Sequence, residues 1–296
     1  MLKRMELFNI AAVFLLITSI ILIIYTMERE QEFLAHNNSI QKASVHGAAY
    51  AINLQLENKY RHVRLFLDEY SYLFLHLEKY PDDETTSENI KRRLQQRFTD
   101  FFTYTITDEN GKPEMIDIES LVGEACQVDL NNFSDSIKRD HGAIHNEVFV
   151  HPQPFNYHYD IMAPLQTNGV NARIFFSSFY LNEIVDVIKT HEIPGQTLIL
   201  VKQSNPGLIE ATREGARDKL SRDVNLSQEE RMRITAYESI PNTDWRLVNL
   251  PDADFVQEYI YGLWKEVIIL LTIVALALFL LVFVLVKISE KKELER

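Results

Sequence analysis

The chain has 296 residues, 46% of them apolar, with 30 Lys and Arg against 42 Asp and Glu and a formal net charge of −12. An acidic field of this kind disfavours nucleic acid and anionic lipid as partners. The single cysteine, Cys126, excludes an intramolecular disulfide, so any folded domain is held together by packing.

The first predicted element is Leu7 to Tyr25, an uncharged stretch whose only polar residues are Asn9, Thr18 and Ser19. Its length is close to the roughly 20 apolar residues that cross a bilayer core. The run exceeds the ~7 to 15 residues of a signal-peptide core, and Tyr25-Thr26-Met27-Glu28-Arg29 offers no small-x-small cleavage site. An uncleaved membrane anchor is expected. At the other end, Val267 to Val286 is apolar apart from Thr272. Lys3 and Arg4 precede the first stretch, and Lys287, Lys291, Lys292 and Arg296 follow the second, so the positive-inside rule places residues 1–6 and 287–296 in the cytoplasm. Residues 26–266 are then external, and hold all but six of the basic residues and all but four of the acidic ones, a formal −14.

A long helix over 28–80 follows the first span. Val45, Ala49, Ile52, Leu56, Tyr60, Val63, Leu67, Tyr70, Phe74 and Leu77 recur three or four residues apart. This seam either pairs with its copy in a homodimer or packs on its own domain. Pro81-Asp82-Asp83 should end the helix near Tyr80; Thr85 to Glu88 reads as a capped restart, and Ile90, Leu94, Phe98 and Phe101 mark a second, shorter helix.

From Phe102 the period changes to two. Tyr104 to Thr107 and Glu114 to Ile118 flank Asn110-Gly111, a hairpin turn signal. Further strands are expected at Glu147 to His151, Tyr157 to Ala163, Ala172 to Phe179, Thr197 to Lys202, Leu208 to Thr212, Arg233 to Ser239 and Trp245 to Leu250, with Asn182 to His191 the one clear helix among them. A last helix, Ala253 to Lys265, should run straight into the second span. The expected class is α+β: two transmembrane helices flanking a long helix and an antiparallel sheet crossed by a helix.

Three stretches carry a family resemblance. Tyr104-Thr105-Ile106-Thr107-Asp108-Glu109-Asn110-Gly111-Lys112, Tyr159-Asp160-Ile161-Met162-Ala163-Pro164-Leu165 with Asn168-Gly169, and Ile240-Pro241-Asn242-Thr243-Asp244-Trp245-Arg246-Leu247-Val248 resemble, in order and spacing, the Cache family of PAS-like extracytoplasmic sensor domains. Arg173 to Thr212 looks most like sensor regions attached to diguanylate cyclases. The resemblance covers most of residues 28–265 and implies a PAS-like part over 88–265. The Arg-x-Trp-Tyr signature of the family's amine-binding subgroup is missing, so no ligand identity carries over. No Gly-Gly-Asp-Glu-Phe, HAMP or kinase motif occurs, and output is expected from a separate cytoplasmic protein or from a longer gene product.

His141, His145, Glu147 and His151 lie close in sequence, but Gly142 and Val148-Phe149-Val150 argue against the helix that would align two imidazoles. Neither a metal nor a cofactor is expected. No nucleophile elbow, phosphate loop or zinc-protease helix is present, and Asp82-Asp83 and Glu229-Glu230 read as loop and helix-cap residues, so catalysis is not expected.

The resemblance places a ligand on the concave face of the central sheet. Tyr157, Tyr159 and Ile161 share one face of their strand, with His158, Asp160 and Met162 on the other; Arg173, Phe175, Ser177 and Phe179 share a face of the next. Tyr157, Tyr159, Arg173, Phe175 and Ser177 are the candidate ligand-binding residues, and aromatics with one Arg suit a small carboxylate. The plain alternative is a packed core with Arg173 at a solvated strand end. The expected function is a bacterial inner-membrane sensor with a periplasmic, small-molecule-binding domain. The rival is a structural or assembly protein of the cell envelope whose domain binds another protein.

Overall fold

One helix, α1 (Leu2–Glu69), carries both the first apolar stretch and most of the heptad seam without interruption. The computed structural model describes residues 2–108, 112–113, 124–139, 148–152, 157–165 and 173–294. Two compact units divide the chain: Met1–Ile40 with Asp252–Arg296, and Gln41–Pro251. The first unit consists of the N-terminal part of α1 and of α7 (Ala253–Leu294), both long and apolar enough to cross a membrane by length and composition. As expected, α7 joins the last predicted helix to the second apolar stretch with no break.

In the second unit α1 gives way at Tyr70 to α2 (Ser71–Lys79), whose C-cap is Tyr80, and then to α3 (Glu84–Arg97). The restart is capped earlier than expected: Asp83 accepts hydrogen bonds from Thr86 N at 3.3 Å and Thr86 Oγ1 at 2.8 Å. The seam is consumed within the unit. Val45, Ala49, Ile52, Leu56, Val63, Leu67, Phe74 and Leu77 are all buried in one core with Ile90 and Leu94 of α3, so its residues are not free to pair with a second copy.

Among the described residues nine strands form two antiparallel sheets rather than one. The first contains β1 (Phe101–Ile106), β2 (Val148–Pro152), β3 (Tyr157–Leu165) and β4 (Arg173–Tyr180), in the order β1-β4-β3-β2. Between β1 and β2 lies a helix that the periodicity does not reveal, α4 (Glu124–Arg139). The crossover helix α5 (Asn182–His191) leads to the second sheet. That sheet is built from β5 (Gln196–Lys202), β6 (Ile209–Thr212), β7 (Gly215–Ala216), β8 (Ala236–Ser239) and β9 (Trp245–Pro251), ordered β7-β6-β5-β9-β8. The chain before β8 also differs from expectation: Arg233 ends a short helix, α6 (Gln228–Arg233), held by a Ser227–Glu230 capping box.

Two motifs of the family resemblance have a local physical basis. Asn242 stands at φ 58°, a left-handed conformation that Asn tolerates. Beside it Thr243 Oγ1 donates to Ile240 O at 2.9 Å and accepts from Trp245 N at 3.0 Å, which closes the β8–β9 turn. Pro164 pairs with Ile174 of β4, while β2 as described reaches only Ile161, so the missing N–H interrupts no described ladder on that side. Thr107 and Pro113 form an antiparallel bridge. Asn110, Gly111, Asn168, Gly169 and the expected strand Glu114 to Ile118 lie outside the described residues.

Glu210 of β6 is almost fully buried, and Arg217 Nη2 stands 2.9 Å from its Oε2. Burial pushes the Glu210 carboxyl up to about 7 against the pull of Arg217. A raised folded-state value means stability present at pH below about 4.5 and lost as pH rises through about 7. The unfolding free energy of Glu210→Gln minus that of the natural chain should therefore increase by on the order of 3 kcal/mol between pH 5 and pH 8. Urea titrations of both proteins at the two pH values check this, and parallel pH profiles would contradict it.

Candidate ligand site

Both faces of the first sheet are covered, which is why β3 and β4 are buried along nearly their whole length. One face packs on α1, α2 and α3; on the other, Leu130 and Phe133 of α4 cluster with Met162, Ile174 and Phe176. The register pairs Tyr159 with Phe179, Ile161 with Ser177 and Leu165 with Arg173, which puts all five sequence-predicted residues on the helix-packed face.

Their side chains are committed there. Phe175 meets Phe74 edge-on at 5.5 Å and stacks on Tyr104 at 5.8 Å. Ser177 Oγ donates to Ile161 O at 3.1 Å, and Arg173 Nε donates to Thr107 O at 3.1 Å. The Tyr157 ring lies under the Arg217 guanidinium at 5.0 Å, its hydroxyl buried with no hydrogen-bond partner among the described residues. Tyr159 packs against Phe179 and Trp245, and burial holds its hydroxyl far above the usual tyrosine range. Arg173 is 5% exposed, which removes the solvated-strand-end alternative.

The same side of the sheet holds a buried ion cluster absent from the sequence reading. Lys59 Nζ of α1 lies 2.5 Å from Asp100 Oδ1 and 2.8 Å from Glu183 Oε2 of α5, with the faces of Phe98 and Phe179 about its ammonium. Gln55 Nε2 also donates to Glu183 at 2.6 Å, and Tyr159 Oη approaches Asp100 at 3.5 Å. Burial raises Asp100 despite Lys59. At Glu183 burial acts in the same sense, but hydrogen bonds from Lys59, Gln55 and Thr99 outweigh it and hold the carboxyl below its usual range.

The face under α4 has a different chemistry. His158 and Asp160 of β3, Thr105 of β1 and Ser178 of β4 are all buried. Asp160 Oδ1 accepts from Ser178 Oγ at 2.5 Å and stands 3.6 Å from His158 Nε2, and the His158 ring packs on Phe102 at 5.2 Å. A carboxylate, an imidazole and a hydroxyl thus form a polar floor beside the Met162, Ile174 and Phe176 patch, with an amphipathic helix over it. Apolar walls with a few convergent polar groups are the general form of a small-molecule site. Reading aromatics as pocket walls obscured this face. The available signal was a buried-type Asp and Ser on adjacent central strands. His141, His145 and Glu147 lie outside the described residues. His151 falls opposite His158 in the β2–β3 ladder, and among the described residues no group of three or more His, Cys, Asp or Glu could hold a metal ion.

No protein-family model matches the sequence, and no curated protein does. Among solved structures the chain is similar to the sensory domain of the Campylobacter jejuni chemoreceptor Tlp3 (TM-score 0.47, 11% identity, 77% of this chain and 98% of that one), a domain also solved with isoleucine bound. It is similar too to a domain of a sensory box/GGDEF family protein from Vibrio parahaemolyticus (TM-score 0.45, 13% identity, 72% and 97%) and to an extracellular ligand binding receptor from Desulfohalobium retbaense (TM-score 0.42, 9% identity, 70% and 39%). The proteins so matched are sensory and ligand-binding domains.

Proposed function

We propose that the chain is a receptor anchored in the bacterial inner membrane by α1 and α7, whose periplasmic domain binds a small polar molecule on the α4-covered face of the first sheet. The observation that carries this reading is the buried Asp160, Ser178 and His158 floor beneath a helical cover. The membrane reading is supported by exposed apolar side chains such as Phe8, Ile17, Ile24, Ile273, Phe279 and Leu281 along both helices, since a helix apolar on all sides needs lipid or protein around it. Both helices continue directly from the domain, α1 through its core and α7 after β9. They are the levers by which a bound ligand would reach an output module supplied by a cytoplasmic partner. No catalytic step belongs to this reading. A ligand shifts those levers by no more than its differential affinity for the two states.

The test is a thermal-shift screen of the purified full chain against a panel of amino acids, amines, carboxylates and other small metabolites. A ligand at 100 times its Kd adds about 2.7 kcal/mol. Stabilisation by none of the panel would favour the protein-binding rival.

A homodimer through α1 remains part of this reading, moved to a different face. Tyr50, Leu54 and Leu65 are exposed along α1, and Tyr72 on α2, at 63, 43, 47 and 57%. Cysteine at Leu54 or Leu65, in a Cys126→Ser background, should cross-link in membranes under mild oxidation, and cysteine at the core positions Ile52 or Leu56 should not. Cross-linking at Ile52 but not Leu54 would contradict the packing described above.

A further inference from the structure

Where α1 and α7 meet the edges of the two predicted spans, they enclose a cleft of about 140 Å³. Its deeper wall is apolar, formed by Leu22 of α1 and by Val267 and Leu270 of α7. Its mouth carries two opposite charges, Arg29 beyond the end of the first predicted span and Glu266 immediately before the second. No ion pair joins them among the described residues. The polar contacts of Arg29 are with the Tyr25 hydroxyl, at 3.3 Å, and with Tyr259. Just outside the cleft the helices are fastened by Phe33 stacked on Tyr259 at 3.7 Å and by Trp264 Nε1 donating to Glu30 at 3.1 Å. The aromatic residues here have the position of an interfacial belt.

We propose that this cleft holds the headgroup of a zwitterionic phospholipid with a primary ammonium, of the phosphatidylethanolamine type, from the outer leaflet. The proposal rests on the reading of α1 and α7 as spans. A guanidinium matches phosphate oxygens, a carboxylate matches an ammonium, and the apolar wall below runs in the direction of an acyl chain. An anionic headgroup would satisfy Arg29 but leave Glu266 facing a second negative charge, on a chain that is already acidic. The pair of charges selects a ligand that carries both.

The experiment uses the full chain purified in detergent, exchanged with equal amounts of a phosphatidylethanolamine and a phosphatidylglycerol of the same acyl chains, and examined by native mass spectrometry. The natural chain should retain the ethanolamine lipid about fivefold over the glycerol lipid, the ratio an exposed ion pair supplies at the upper end of its usual worth. Glu266→Gln should bring the two lipids to parity, and Arg29→Gln should lower retention of both. Parity in the natural chain, preference for the glycerol lipid, or an ethanolamine preference unchanged in Glu266→Gln would overturn the proposal. Alkaline carbonate washing of membranes separates the two possible failures. Release of the chain overturns the spans and the lipid site together, whereas a retained chain without lipid preference overturns the lipid site alone.

Discussion

Lys59→Met should destabilise the Gln41–Pro251 unit by about 3–5 kcal/mol, the usual cost of removing one partner from a buried ion pair. The substitution keeps an apolar side chain of similar length and gives up the ammonium held over the Phe98 and Phe179 rings. It takes away the one cation shared by Asp100 and Glu183, leaving two carboxylates near each other in a buried site. Both carboxyls must then titrate upward, because burial already pushes each in that direction. Raised folded-state values give stability that is present at low pH and lost as pH rises through them. The deficit of the variant should therefore shrink between pH 8 and pH 5. Adding Asp100→Asn and Glu183→Gln should recover most of the loss at pH 8, since neither replacement brings a charge. Urea unfolding of the three proteins at both pH values checks each step. A single variant as stable as the natural chain would mean that the cluster is open to water.

Phe175→Ala should cost a similar ~3–5 kcal/mol, the range for truncating a buried aromatic. Phe175 is fully buried between α2 and β1, against Phe74 and Tyr104, where the strands and helices on either side restrict collapse of the space left behind. The loss should appear in the unfolding midpoint. The affinity of the folded fraction for any ligand found in the screen should be unchanged, because Phe175 is on the face turned to the helices. A large loss of affinity at unchanged stability would assign Phe175 to the site instead.

That contrast marks what could be read from the sequence. The helix end at Tyr80, the bounds of β3, β4, β5 and β9, and the unbroken run from the last helix into the second apolar stretch were legible, because each rests on local signals: a proline, a period of two, an uncharged run. The division into two sheets was not, since it depends on which strands α5 separates. Helix α4 was hidden because its only strongly buried residues in the described part are Leu130, Phe133 and Ser134, set among Asn and Asp.

Alternation correctly sorted Tyr157, Tyr159, Arg173, Phe175 and Ser177 onto one face, but periodicity cannot say what covers a face. With helices on both sides, the aromatic face became core. The polar pair Asp160 and Ser178, the costlier group to bury, fell beneath α4. The seam on α1 met the same limit: its spacing fixed which residues are buried and left open whether the partner was a second copy or its own sheets.

The central claim, that ligand binds on the α4-covered face, is tested most directly by taking a stabilising compound from the screen and measuring its thermal shift on Asp160→Asn and Tyr157→Phe. Asp160→Asn replaces the carboxyl group on the floor of the proposed site, whereas Tyr157→Phe removes a hydroxyl of the helix-packed face that has no hydrogen-bond partner among the described residues. The shift should be lost in Asp160→Asn and kept in Tyr157→Phe; a shift kept in Asp160→Asn and lost in Tyr157→Phe would contradict the claim and return the site to the face read from the sequence.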